Sequence, residues 1–234
     1  MPIAVAALSG NAIVADGTPG TADIGHAPIA LARLVALGWD LVITHAPAAP
    51  EAAYRLQQEL GNVLREARIP RSVASVLTQV VIDPHDPDHA PHEIVEIRAI
   101  RLLVESGIVA IAGGAVPVVR EGGGRLRGVE TVIDKDRASS LLARLLGADL
   151  LILFTRAPEI VFDSGRPDER PLRRLTVGEA RTLLSTATFV KGGMGPRLEA
   201  ATAFTAATGR PAILASPERI LDALVGTSGT VIRP

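Results

Sequence analysis

Short apolar runs alternate with longer stretches of helical spacing along the whole chain, and this alternation restricts the fold more than any other feature. Residues 3–8, 40–44, 73–82, 108–112, 149–154, 212–214 and 230–232 read as strands. Residues 29–37, 50–68, 93–106, 138–146, 177–185, 196–208 and 217–224 read as helices. Alternation of strand and helix implies a mostly parallel sheet covered on both faces. One interruption is local. Residues 116–120 and 126–129 flank Glu121-Gly122-Gly123-Gly124-Arg125, which is a hairpin signal. A length of 234 residues, 47% of them hydrophobic, suffices for one large α/β domain or two small ones with a sizeable core.

The composition excludes several classes of function. Lys plus Arg number 24 against 25 Asp plus Glu, so there is no electrostatic footprint for nucleic acid or an anionic membrane. Aromatic residues make up 3%, too few for base-stacking platforms. Without cysteine there is no disulfide, no thiolate metal site and no cysteine nucleophile. The opening Met1-Pro2-Ile3-Ala4-Val5 has no basic region before its apolar run, and no apolar stretch reaches spanning length. The expectation is a soluble cytoplasmic protein with no membrane partner.

Ligands of parallel α/β sheets sit outside the carboxyl ends of the strands. The segments expected there are Ser9-Gly10-Asn11, Thr44-His45 and Gly113-Gly114. Glycine at such a turn lets backbone N–H groups approach an anion, and a following helix N-terminus adds positive potential. The same glycines also fit ordinary strand-to-helix turns. No Gly-Lys-Ser or Gly-Lys-Thr occurs, and the first strand lacks the Rossmann glycine spacing, so a P-loop enzyme and a typical dinucleotide dehydrogenase are disfavoured.

Two further clusters carry charge. In Val132-Ile133-Asp134-Lys135-Asp136 a lysine flanked by aspartates can be held toward a phosphate, as phosphoryl transfer requires. The alternative is a solvated N-cap built by Asp134 or Asp136. In Lys191-Gly192-Gly193-Met194-Gly195-Pro196-Arg197 a glycine turn precedes Pro196 at an expected N1 position, with Arg197 in the first helical turn. A cation there opposes the helix dipole, which favours a phosphate partner; the alternative is a surface arginine.

Taken together, these segments resemble the carbamate kinases of the amino-acid-kinase family. Ala7-Leu8-Ser9-Gly10-Asn11-Ala12 is similar to that family's Ala-Leu-Gly-Gly-Asn-Ala, and Val42-Ile43-Thr44-His45 to its Val-Ile-Thr-His. Residues 77–84 look like its Thr-Gln-Val-x-Val-Asp strand. Residues 128–136 are very close to its Gly-Val-Glu-Ala-Val-Ile-Asp-Lys-Asp, and this is the most specific match. Gly193-Met194-Gly195-Pro196-Arg197 resembles its Ser-Met-Gly-Pro-Lys, and Gly229-Thr230 its terminal Gly-Thr.

The resemblance implies a three-layer α/β/α sandwich spanning residues 1–234, with a substrate half over 1–115 and a nucleotide half over 116–234. It implies a homodimer that moves a phosphoryl group between carbamoyl phosphate and ADP, with Mg2+ held by the phosphates of ATP or ADP rather than by protein ligands. Lys135, Asp136 and Arg197 would be the catalytic set. Ser9, Gly10, Asn11, Gly113 and Gly114 would hold substrate and the transferring phosphoryl group. Asp134, Lys135, Thr155, Lys191, Met194 and Gly195 would border the nucleotide.

Departures from the family pattern bear on activity. The family's Gly-Asn-Gly-Pro-Gln loop is replaced by Ala46-Pro47-Ala48-Ala49-Pro50, which removes backbone freedom and a donor. The protruding lid and its lysine are missing at residues 83–92, Ser9 stands for a glycine, and Arg197 stands for the catalytic lysine. The glycine turn near residue 113 is thinned to Ala112-Gly113-Gly114-Ala115. ATP formation from carbamoyl phosphate is therefore expected to be weak or absent. The alternatives are a nucleotide-binding or regulatory protein that has lost catalysis, and a structural homodimer with an empty pocket.

His85, His89 and His92 share a loop with Asp83, Asp86 and Asp88 at spacings a metal could use, although a solvated loop is the preferred reading. His45 has two readings, facing the pocket or packing. Trp39 and Tyr54 are expected to be half-buried. The stripe Ala53, Leu56, Leu60, Val63 and Leu64 faces the sheet, with apolar surface left over for a dimer contact.

Overall fold

The computed structural model describes residues 1–8, 26–45, 50–156, 159–162, 170–186 and 194–234. Twelve strands and seven α-helices are assigned among them. In chain order they are β1 (Ile3–Leu8), α1 (Ala27–Ala36), β2 (Asp40–His45), α2 (Pro50–Glu66), β3 (Val73–Ile82), β4 (Pro91–Ile94), α3 (Ile97–Glu105), β5 (Val109–Arg120), β6 (Leu126–Gly128), α4 (Lys135–Leu146), β7 (Leu150–Phe154), β8 (Ile160–Phe162), β9 (Arg170–Leu172), β10 (Arg174–Thr176), α5 (Val177–Thr186), α6 (Met194–Thr208), β11 (Ala212–Ala215), α7 (Ile220–Leu224) and β12 (Thr230–Arg233).

The main sheet runs β10-β12-β11-β7-β1-β2-β5-β3-β4, with β6 paired to β5. The central pairs β7–β1, β1–β2, β2–β5 and β5–β3 are parallel. The antiparallel pairs are β3–β4, β5–β6 and β11–β12. Alternate residues of the central strands point to opposite cores. Val5, Ala7, Val42, Leu151 and Leu153 join the side chains of α3, α4, α5 and α6. Ala4, Ala6, Leu41, Ile43 and Ile152 join those of α1, α2 and α7. Those two apolar faces make the three-layer α/β/α sandwich.

Several elements differ from the sequence reading. The helix expected from residue 93 begins at Ile97, because residues 91–94 return as β4 against β3. In β4, Ile94 is buried in the core, His92 is exposed, and Pro91 and Glu93 are half-buried, so four residues with an irregular register against β3 carry no clear strand period. The strand expected to end at residue 112 runs on to Arg120. Residues 217–224 start with a 3-10 turn before α7. The β8–β9 hairpin and β10 have three residues per strand, too short to carry a period. Thr230 stitches that hairpin to the main sheet: its hydroxyl donates to Leu172 O at 2.6 Å and accepts from Ile160 N at 2.8 Å.

Chain order fixes where a ligand fits. From β1 the chain adds β2, β3 and β5 on one side, then returns through α4 to β7 on the other. The order reverses at β1, and the crevice beyond such a reversal is where α/β sheets bind ligands.

Candidate active site

Helix α4 begins at that crevice. Its N-cap is Asp134, extended at φ −63° and ψ 116°, and the Asp134 carboxylate accepts from Arg137 N at 2.8 Å. Capping of this kind satisfies one of the donors a helix start leaves open. The N-cap alternative for Asp134 is thus realised, and it leaves Lys135 and Asp136 free for other work in the first turn. Gly147, left-handed at φ 69°, closes the helix at its other end.

The two charges of that turn are largely withdrawn from solvent. Lys135, Asp136 and Arg197 have side chains only 12%, 8% and 17% exposed. Lys135 Nζ donates to Asp136 Oδ1, while Arg197 Nε of α6 lies 3.5 Å from Asp136 Oδ2. One carboxylate thus aligns two cations from separate helices, which refutes the surface-arginine alternative for Arg197. Next to it, Arg137 donates to both oxygens of Glu199 at 3.1 and 3.2 Å, a second tie between α4 and α6. Burial works against the Arg137 charge, but Glu199, then Asp88 and Asp134, outweigh it and raise its pKa above the ordinary value.

The opposite wall is the ends of β2, β5 and β3. His45 of β2 pairs in register with Gly113 of β5, which pairs with Leu77 of β3. A Cβ on Gly113 would collide with His45 Nε2, so a side chain at 113 is excluded by the imidazole. Gly113 and Gly114 form no strand-to-helix turn, contrary to expectation. They lie inside β5, where two residues of β5, Gly114 and Ala115, face the single residue Thr78 of β3 in a β-bulge. Gly114 at φ 97° and Ala115 at φ 35° make the bulge; the positive angle is unusual for alanine.

Between this wall and α4 lies a small, partly open cleft. Its polar lining is Thr44, His45, Thr78, Lys135 and Ser139. His45 is 3% exposed, so it both faces the cleft and packs. Thr44 and Ser139 are joined by a buried hydroxyl contact of 2.6 Å. Sequence reasoning overlooked Ser139, although its position four residues after Lys135 puts both on one helix face.

The remaining expected residues fall at neighbouring ends. Thr155, 2% exposed, closes β7 and donates its N–H to Ala215 O at 2.9 Å. Met194 and Gly195 open α6, so Pro196 stands third in the helix instead of first. Ser9, Gly10, Asn11, Lys191 and residues 46–49 lie outside the described residues. Residues 84–88 form turns and β4 starts at Pro91; no group of three His, Asp or Glu is placed to hold a metal among the described residues. Asp86 makes the turns, accepting from Asp88 N at 2.9 Å and Ala90 N at 3.0 Å.

The amino acid kinase family model matches residues 42–216, a stretch that runs from β2 through the whole cleft to the end of β11. The chain belongs to the amino acid kinase family. Among relatives, a carbamate kinase of Trichomonas vaginalis is 29% identical over 98% of this chain and 99% of its own. Another, of Pyrococcus horikoshii, is 30% identical over 98% of each. The crystal structure of a Giardia lamblia carbamate kinase bound to AMP-PNP superposes with a TM-score of 0.90 at 29% identity, covering 99% of this chain and 98% of that one. The alignment with the Trichomonas protein runs over 310 positions against 234 residues here, so that kinase carries segments this chain lacks.

Proposed function

We propose that the chain is a carbamate-kinase-like phosphotransferase that moves a phosphoryl group between ATP or ADP and carbamate, carbamoyl phosphate or a related small acid. The observation that carries this reading is the Asp136 carboxylate holding Lys135 and Arg197 together at the α4 N-terminus. Two cations fixed at a helix start, over the reversal point of a parallel sheet, suit the phosphate oxygens of a nucleotide.

In this reading Lys135 and Arg197 neutralise the charge that spreads over the equatorial oxygens during in-line transfer. Asp136 fixes their direction and abstracts no proton. Gly113, Gly114 and the undescribed Ser9, Gly10 and Asn11 belong to the acceptor side. Thr155, Met194, Gly195 and Lys191 border the nucleotide. Magnesium travels on the nucleotide phosphates and supplies charge neutralisation when bound. The donor set fits that arrangement, because the Asp134 carboxylate is committed to its cap and Asp136 to its cations.

A homodimer belongs to the same reading, through apolar surface other than the α2 stripe, which faces the sheet as expected. Leu56, Leu60 and Leu64 are fully buried against the chain's own sheet. Tyr54 at 67% and Leu77 at 72% are instead exposed, correcting the expectation of a half-buried Tyr54. Their elements are joined by a hydrogen bond of 2.7 Å from Ser75 to Gln57. That apolar edge of β3 and α2 is the face offered to a second copy.

Coupled measurement of ATP formation from carbamoyl phosphate and magnesium ADP tests the activity. Turnover in the parent, slow because the family's lid lysine and glycine-asparagine loop are missing, that disappears in Lys135→Ala supports it. Equal rates in both proteins contradict it.

A further inference from the structure

The buried hydroxyls of Thr44 and Ser139 have no part in the chemistry described above, yet they connect its two halves. Ser139 Oγ donates to the backbone oxygen of Lys135 at 2.7 Å. Thr44 Oγ1 lies 2.6 Å from Ser139 Oγ. A serine hydroxyl has one proton, and here it is spent on Lys135 O, so the proton between the two hydroxyls comes from Thr44. The relay runs Thr44 to Ser139 to Lys135 O. Ser139 is 0% exposed and Thr44 7%, so water offers neither hydroxyl a ready substitute.

We propose that Thr44 and Ser139 are positioning residues that set the first turn of α4, and with it the Lys135 ammonium, against the end of β2. Placement makes the link specific. Lys135 is the first residue of α4, where helical restraint is weakest, and its carbonyl is the one the relay grips. Thr44 stands one residue before His45, on the strand that leads into the acceptor-side segment 46–49. The relay thereby registers a nucleotide-side cation against the acceptor-side strand. A serine bonded back to the carbonyl four residues earlier bends a helix slightly, and Thr44 as second partner fixes the direction of that bend. The importance of the shift for turnover rests on the phosphotransferase reading; the relay itself does not.

The sequence offers a direct probe, because Lys135 and Lys191 are its two lysines. Protein labelled with carbon-13 lysine gives two side-chain signals, and Lys135→Arg assigns them. In Thr44→Val the Lys135 signal is expected to move toward the position of free lysine, with Lys191 unmoved, and Thr44→Ser is expected to restore it. Ser139→Ala is expected to repeat the shift and serves if Thr44→Val fails to fold. In the coupled assay, Thr44→Val is expected to lower kcat about ten- to a hundredfold with little change in the KM for ADP, as a small displacement of a reacting group does. A lower melting temperature with both lysine signals unchanged overturns the proposal, since that is what a merely structural hydroxyl pair gives. If the parent turns over no faster than Lys135→Ala, the phosphotransferase reading fails, and the lysine signals still decide the relay.

Discussion

Asp136 Oδ2 lies 3.5 Å from Arg197 Nε, while its other oxygen accepts from Lys135 Nζ, so one carboxylate joins the starts of α4 and α6. Removing its charge leaves two cations, largely withdrawn from solvent, without their shared counter-ion. Asp136→Asn is expected to cost about 3 kcal/mol of stability, in the range for breaking a buried ion pair. Urea unfolding of the two proteins measures it. Magnesium ADP, which brings its own negative charge, is expected to recover part of the loss.

Arg197 keeps its charge where the family pattern has lysine, but a planar guanidinium cannot act as a compact point donor. Arg197→Lys is expected to raise kcat for ATP formation by about three- to tenfold, an electrostatic improvement of roughly 1 kcal/mol in the transition state. The coupled assay reads this directly. A fall in kcat would mean that the fork of the arginine is itself adapted to the substrate of this shortened enzyme.

Much of this was legible in advance because the central strands are buried on both faces. Continuous apolar runs such as residues 150–154 are too short for a helix and so read as strands. The charged run at residues 134–136 was legible as a helix start capped by Asp134, and its reading as a phosphate site came from its resemblance to the family pattern. What escaped detection depended on tertiary contact. Gly113 and Gly114 look like a turn, and only the partner strand, one residue shorter between its pairs, makes them a bulge. Ser139 and Thr44 are 95 positions apart, and nothing local marks them as a pair. Thr176 and Glu179 did carry a local signal that went unread, the Thr-x-x-Glu of a capping box.

That box gives a pH dependence. Thr176 N and Oγ1 donate to Glu179 Oε2 at 2.8 and 2.9 Å, and Glu179 N donates back to Thr176 Oγ1 at 3.2 Å. The backbone hydrogen bond from Thr176, then its hydroxyl, holds the Glu179 carboxyl below its ordinary value of 4.5. A carboxyl lowered in the folded state stabilises above its unfolded pKa, and the contribution is lost as pH falls through the folded one. Glu179→Gln is therefore expected to lower the melting temperature at pH 7 and to matter progressively less below pH 4.5. Melting curves at both ends of that range check the sign.

The bulge under His45 is expected to respond in opposite directions to two small changes. Gly113→Ala forces a methyl group into the imidazole, and overpacking of this kind costs about 1 to 3 kcal/mol. Ala115→Gly releases a left-handed alanine and is expected to gain up to about 1 kcal/mol, offset in part by the entropy of the added glycine. Denaturant midpoints of the two variants compare them.

Calorimetric titration of magnesium ADP into the purified chain and into Lys135→Ala puts the nucleotide site to its most direct test. The cluster at the start of α4 should bind the nucleotide in the parent and lose at least about tenfold in affinity, roughly 1.4 kcal/mol, without the lysine. Equal affinity in the two proteins, or no heat from either at millimolar nucleotide, would contradict a phosphate site built on Lys135.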